Sequence, residues 1–340
     1  MKILITGGAG FLGINLGREA LNRGHDLFIF DNLLRIGAKQ NIEWLESNGK
    51  FIFKEGSIES FKEVDDFISK IKPEAIFHLA GQVAMTTSIE NPIKDFNINA
   101  LGSLNILESA RKHLENTPII YSSTNKVYGD LEEFKYIKSD KRYVCIEHED
   151  GFNEQIPLNF HSPYGCSKGS ADQYMLDYFR IFNLSTVVFR HSSMYGGRQF
   201  STHDQGWVGW FCDQAIKIRD KKIKNTISIS GNGFQVRDLL HSQDVVDLYF
   251  LALEEIDSIK GEAFNIGGGL DNSLSLLELF DYLNQKLDIE LKINRQDTRE
   301  SDQKVFIADL TKIKSKIDWI PKISLNEGLD NQIEWQEQKN

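Results

Sequence analysis

The sequence predicts an α/β protein: a doubly wound parallel sheet with a smaller mixed α/β lobe attached. Three observations carry this expectation. Short apolar runs alternate with helix-like segments through the first half of the chain, a glycine-rich turn follows the first run, and the alternation breaks down after about residue 190. Strands alternating with crossover helices imply parallel pairing.

Lys2 to Thr6 is an apolar run ending in glycines, and Asn15 to Arg23 then sets Leu16, Ala20 and Leu21 on one side at helical spacing. The second run, Asp26 to Phe30, stops at Asp31. Further runs lie at Phe51 to Phe53, Ala75 to Leu79, Ile119 to Ser122 and Thr186 to Phe189, with helical segments near Phe61 to Ile71, Asn99 to His113 and Pro163 to Phe182. In such a sheet ligands bind outside the carboxyl ends of the strands. Beyond Arg190, turns at Gly196-Gly197, Gly231-Asn232-Gly233 and Gly267-Gly268-Gly269 separate short runs and helices, a pattern read as a lobe closing over the site. The expected division is residues 1–189 and 235–260 for the dinucleotide-type domain and 190–234 and 261–340 for the substrate lobe. Leu131 to Phe160, rich in charge and aromatics, is too long for a bare connection and is expected to be an ordered insertion.

Hydrophobic and charged fractions of 41% and 26% are those of an ordinary globular protein and argue against disorder. A net charge of -10 disfavours a sequence-independent grip on nucleic acid, so any phosphate must be met by local charge. Cys145, Cys166 and Cys212 are odd in number and lack ligand spacing, so neither a disulfide framework nor a metal site is expected. Cys166 is read as a packing residue. The opening MKILITGGAG is neither a signal peptide nor a membrane span, and a cytoplasmic location without membrane contact is expected.

In TGGAGFLG, Gly7, Gly10 and Gly13 follow a strand and open a helix. That context suits a pyrophosphate: a tight turn, a close backbone approach, close helix packing, and amide donors at the helix start. Asp31 ends the second strand, where a carboxylate accepts from both ribose hydroxyls and repels a ribose phosphate, so NAD is expected over NADP. Arg35 stands nearby and weakens that preference. Ser57 and Ile58 follow the third strand, and HLAGQVA closes the fourth with small residues. Phe11, Leu12, Asn32, Leu79, Ala80, Gln82, Asn99 and Ser122 complete the candidate cofactor contacts.

Tyr164 and Lys168 stand four apart at a helix start and share a face. A phenol titrates near 10, and an adjacent ammonium would favour its phenolate. Thr124 ends the strand after the Asn99 helix, where a hydroxyl can align a reacting oxygen with Tyr164. Taken singly, each feature also fits a solvated helix face or a polar strand end.

Together, TGGAGFLG, HLAGQVA, SSTNKVYG and YGCSK resemble the extended short-chain dehydrogenases/reductases that act on nucleotide sugars, over nearly the whole chain. The resemblance implies a Rossmann-type domain, tightly held NAD, and Thr124, Tyr164 and Lys168 as the catalytic group. Dehydratases of the family follow the threonine with Asp and Glu; here Asn125 and Lys126 stand there, and dehydration is disfavoured. The stretch His161 to Phe211, with GNGFQVRDLLH and RESDQ, resembles the family's CDP-sugar 2-epimerases. Many relatives read RYFNVYGP where this chain has Arg190 to Gly197. The match implies His191 beside the nicotinamide and Arg198, Arg237 and Arg299 holding the nucleotide diphosphate, with Ser193 and Gln205 also toward substrate. For each arginine, a surface ion pair is the competing reading. Trp207, Trp210 and Phe211 line the sugar pocket or belong to the core. The implied partners are a CDP-sugar and a second copy of the chain, in a dimer or tetramer. A 4-epimerase, a net dehydrogenase and a non-catalytic NAD-binding protein remain as alternatives.

Overall fold

The computed structural model describes residues 1–297 and 302–339. Its first half runs β1 (Lys2–Thr6), α1 (Phe11–Asn22), β2 (Asp26–Asp31), α2 (Ala38–Glu46), β3 (Ile52–Glu55), α3 (Phe61–Ile71) and β4 (Ala75–His78). Two short helices, α4 (Met85–Glu90) and α5 (Pro92–Phe96), then lead through a π-turn at Asn97–Leu101 into α6 (Gly102–His113) and β5 (Ile119–Thr124). After the hairpin β6 (Tyr136–Ser139) and β7 (Arg142–Cys145) come α7 (Ser162–Phe182), β8 (Thr186–His191), β9 (Ser193–Tyr195) and α8 (Trp207–Arg219). The remainder is β10 (Ile227–Ser230), β11 (Val236–His241), α9 (Ser242–Glu254), α10 (Ile256–Ile259), β12 (Ala263–Ile266), β13 (Ser273–Ser275) and α11 (Leu276–Leu287). It closes with β14 (Ile293–Gln296), β15 (Val305–Phe306), α12 (Thr311–Ile317) and α13 (Leu325–Lys339).

Seven parallel strands form the main sheet in the order β12-β8-β5-β4-β1-β2-β3. Both faces are covered, which is why the strands read as nearly unbroken apolar runs. Ile3, Ile5, Ile29 and Phe77 pack toward α1 and α9, while Leu4, Ile76, Tyr121 and Val188 pack toward α3, α6 and α7. The expected doubly wound α/β fold is present.

The elements depart from expectation where polarity hid them. β5 and β8 each run two residues past their apolar stretches, because Ser123 still pairs with Arg190 and Thr124 with His191. α1 begins at Phe11 rather than Asn15, directly after extended Gly10. Strand membership also cuts across the expected division: β11 pairs with β9, β13 and β15 in the small sheet, whereas β12 joins the large one. The chain therefore changes lobe after β11 and after β12, rather than before each of them.

Residues 131–160 form the expected ordered insertion. Phe152 exchanges backbone hydrogen bonds with Ile307 and Asp309, and buries its ring with Tyr128, Leu131, Cys145 and Phe306. Cys145 and Cys212 are buried, but Cys166 is exposed on α7, so it does not pack as expected. Among the described residues no helix is long and apolar enough to cross a membrane.

Candidate active site

Two adjoining cavities open at the carboxyl ends of β1, β2, β4, β5 and β8. The first, of about 390 Å3, is lined by Gly7, Gly10, Phe11, Leu12, Gly13, Asp31, Asn32, Arg35, Ser57, Ile58, Leu79, Ala80, Gln82 and Ser122, all candidates from the sequence. Its floor has no room for side chains: a Cβ on Gly7 would lie 2.7 Å from the Ala80 nitrogen, and one on Gly13 2.4 Å from the Gly7 oxygen. No side chain caps the start of α1, so its first amides face the cavity. Asp31 accepts from the amides of Ala9 (3.1 Å) and Leu33 (2.8 Å), yet burial still raises its carboxyl above the usual range. A bare cradle of amides beside a carboxylate fits a dinucleotide with an unphosphorylated ribose.

The second cavity, of about 590 Å3, is lined by Thr124, Asn125, Lys126, Tyr164, Lys168, His191, Ser193, Arg237 and Asp302. The strand register that sets Thr124 beside His191 thus delivers both to the same wall. Along α7, Tyr164, Lys168 and Asp172 recur every four residues on one face. Lys168 is 4% exposed, donates to the Ser122 carbonyl and lies 4.2 Å over the Tyr121 ring. Burial pushes its ammonium down to about 7, with Asp172 and Asp95 opposing. Tyr164 is pushed up to about 12 by burial, against a hydrogen bond from Thr124. Desolvation is the largest cause, and Asp95 adds to it. The proton of this pair rests on the phenol, and the lysine titrates near neutrality.

That lysine carries a stability consequence. Unfolded, the amine titrates near 10.5; folded, near 7, so the unfolded chain binds more protons across that window. The cost of burying Lys168 is therefore largest below about pH 7 and fades as pH climbs to 10.5. Lys168→Met is expected to melt above the wild type near neutral pH and to lose that advantage at high pH. A Tm difference that does not vary with pH would contradict this.

His191 stacks on Tyr249 at 5.9 Å, with Nε2 3.0 Å from the Tyr249 hydroxyl. Its buried Nδ1 has no hydrogen-bond partner among the described residues, and burial holds the ring neutral, down to about 3. Arg237 donates to Asp302 at 2.6 Å. Asp238, next to Arg237 in sequence, accepts from the amides of Gly269 and Ala308. Ser193 borders the second cavity and accepts from the Trp207 indole (3.2 Å), while Gln205 borders both cavities. Trp207 and Trp210 line the sugar-side cavity; Phe211 lines it too, but its ring is buried against Phe280.

Two candidates are placed differently from expectation, and a third lies outside the described residues. Arg198 lines the first cavity rather than the second, because Asn41 and the Gln40 carbonyl hold its guanidinium there. Asn99 lines neither: its amide is spent on the Gln82 backbone, Asp95 and Ser167, one layer behind the wall. Arg299 lies outside the described residues. Sequence reasoning missed Val83, Met85, Ile89, Met194 and Gln199 as lining residues. Val83 carried a signal inside HLAGQVA, and Met194 and Gln199 lie within the long stretch from His161 to Phe211; Met85 and Ile89 come from a segment without a motif.

The family described as GDP-mannose 4,6-dehydratase matches residues 4–332. Over 98% of this chain and 99% of the relative, the chain is 57% identical to CDP-paratose 2-epimerase of Salmonella typhi. It is 32% identical to a putative UDP-glucose 4-epimerase of Methanocaldococcus jannaschii, over 99% of both. Among solved structures, UDP-glucose 4-epimerase of Thermotoga maritima with UDP-glucose superposes with a TM-score of 0.84 at 30% identity, covering 100% and 99% of the two chains. UDP-glucuronic acid 4-epimerase of Bacillus cereus, in complex with UDP-glucuronic acid and NAD, gives 0.84 at 25% identity over the full length of both. With its glycine cradle, its tyrosine and lysine on one helix face and these relatives, the chain belongs to the GDP-mannose 4,6-dehydratase family of the extended short-chain dehydrogenases/reductases.

Proposed function

We propose that this protein is an NAD-dependent isomerase that inverts carbon 2 of a CDP-sugar, converting CDP-paratose to CDP-tyvelose. The observation that carries the reading is the 57% identity to a CDP-paratose 2-epimerase over nearly the whole chain. The cavity chemistry supports it. A dehydratase needs an acid and a base beside its threonine, whereas Asn125 is tied to Gln303 at 2.8 Å and Lys126 is a cation pushed down to about 8 by burial and Arg237. Neither removes water from a sugar.

When bound, NAD supplies the acceptor and then the donor of one hydride, and its positive ring favours the phenolate of Tyr164. Tyr164 takes the proton of the carbon-2 hydroxyl while Thr124 holds that oxygen in line. Thr124 accepts from the Lys126 amide at 3.2 Å and directs its own proton to Asn125 Oδ1 at 3.4 Å, a long bond it can exchange for the substrate oxygen. Lys168, whose ammonium burial pushes down to about 7, stands one helical turn from the phenol and supplies positive charge beside it when protonated. Arg237 and Arg299 tether the diphosphate while the 2-ketosugar turns to offer the opposite face of carbon 2 for the returning hydride, and Tyr164 gives the proton back to the carbon-2 oxygen. His191 offers its neutral Nδ1 to the nicotinamide side. Gly7 to Gly13, Asp31 and the rest of the first cavity hold the dinucleotide.

We assign the main sheet to the cofactor and the small lobe to the nucleotide sugar. Exposed Tyr174, Ile181 and Phe182 on α7, with Leu101 before α6, support a dimer or tetramer through those helices. Three free cysteines support a cytoplasmic location, and we propose that the product serves lipopolysaccharide O-antigen synthesis. The test is to incubate purified protein with CDP-paratose, without added NAD, and follow the sugar by proton NMR. Inversion at carbon 2 is expected; inversion at carbon 4, or net NADH release, would replace the reading.

A further inference from the structure

An enzyme that returns a hydride to its own product must keep NADH between the two half-reactions. Arg198 sits at the rim of the first cavity with a left-handed backbone, φ 68°, a conformation uncommon for residues other than glycine. Its Nε donates to Asn41 Oδ1 (3.1 Å) and Nη2 to the Gln40 carbonyl (3.0 Å), while Asn41 Nδ2 donates to the Arg198 carbonyl (3.3 Å). The guanidinium lies between two indoles, 4.5 Å from the centre of Trp44 and 5.0 Å from that of Trp335. Phe200 meets Trp335 edge-on at 5.9 Å and presses on Gly37, where a Cβ would fall 2.1 Å from its ring.

Three segments far apart in sequence thus meet at one point: α2 with its entry turn, the stretch after β9, and α13. The first belongs to the sheet domain that forms the glycine cradle; the other two do not. A planar cation stacked on two aromatic faces, partly out of water, holds more firmly than an exposed ion pair. Trp335 lines neither cavity and reaches the first one through Arg198 and Phe200, both of which line it.

We propose that Arg198, gripped by Trp44 and Trp335, is a clasp that locks the dinucleotide cavity across the two lobes and keeps NAD(H) on the enzyme through each turnover, a role that rests on the epimerase reading. These are positioning residues; they take no part in hydride or proton transfer. The clasp acts on the rate of cofactor departure, the quantity that most often sets residence.

The test uses full-length wild type, Arg198→Ala, Arg198→Lys and Trp335→Leu, each loaded with NADH. Release is followed by the fall of NADH fluorescence after mixing with excess NAD. Release about tenfold faster or more is expected for Arg198→Ala and Trp335→Leu, with Arg198→Lys between them and wild type, since lysine keeps charge but not the flat stack. Their progress curves should decay and recover on adding NAD, which loss of packing alone does not produce. Melting curves at saturating NAD confirm which variants are folded. If folded variants release NADH at the wild-type rate, the clasp is wrong while the epimerase reading stands. If wild type itself retains no cofactor through gel filtration, the reading and the clasp fall together.

Discussion

Tyr164→Phe is expected to lower epimerisation by about a thousandfold or more while leaving bound NAD in place. The substitution keeps the ring and its packing and removes one oxygen. That oxygen is asked to act twice, as base when the sugar is oxidised and as acid when the ketone is reduced, so both halves of the reaction fail. Burial pushes that phenol up to about 12, and phenylalanine keeps the buried ring without a proton to exchange. Lys168, the nearest amine, already donates to the Ser122 carbonyl. Proton NMR of the product and the 260/280 nm absorbance ratio of the purified variant measure the two parts separately. Near-normal turnover would remove Tyr164 from the chemistry; loss of NAD would make it a cofactor-holding residue instead.

Asp172→Ala is expected to cost about 3–5 kcal/mol of folding stability. The carboxylate is wholly buried and grips Arg190, itself 5% exposed, through two bonds of 2.8 and 2.9 Å. It also accepts from Ser123 at 2.8 Å. Removing it leaves a guanidinium in the core with the Tyr128 hydroxyl as its remaining partner. Chemical denaturation gives the number, and a loss below about 1 kcal/mol would show that Arg190 finds water or another acceptor. The double change Asp172→Leu with Arg190→Met should recover much of the loss, since burying neither charge is cheaper than burying one. The variant also bears on the site: Asp172 opposes the desolvation of Lys168, so the Lys168 amine should titrate lower still in Asp172→Asn.

What could be read from the sequence depended on how local each signal was. The glycine cradle, Asp31 and the Tyr164 to Lys168 spacing are set by one strand, turn or helix, and the first and second cavities contain them as expected. The ends of β5 and β8 were invisible because Ser123, Thr124, Arg190 and His191 are polar yet pair as sheet. Arg198 was legible as a phosphate-type arginine but not as to which cavity it faces. That depends on Asn41, Trp44 and Trp335, about 155 residues before it and about 135 after it, a distance no periodicity spans. The Tyr164 proton shows a similar limit: spacing gives the lysine neighbour, whereas burial, the largest cause of its shift, is set by the whole fold. Asn99 shows the opposite error, a residue beside the site in sequence and pattern whose side chain is consumed one layer back.

The order of strands in the main sheet has a consequence for how the chain is made. β8 is complete by residue 191, but its outer neighbour β12 begins only at residue 263, after most of the small lobe has been synthesised. Until then β8 is an open edge of buried apolar residues, the kind of surface that invites pairing with another nascent chain. Folding is therefore late and non-local, and a fragment stopped before Ala263 is expected to aggregate rather than stand as an independent cofactor-binding half.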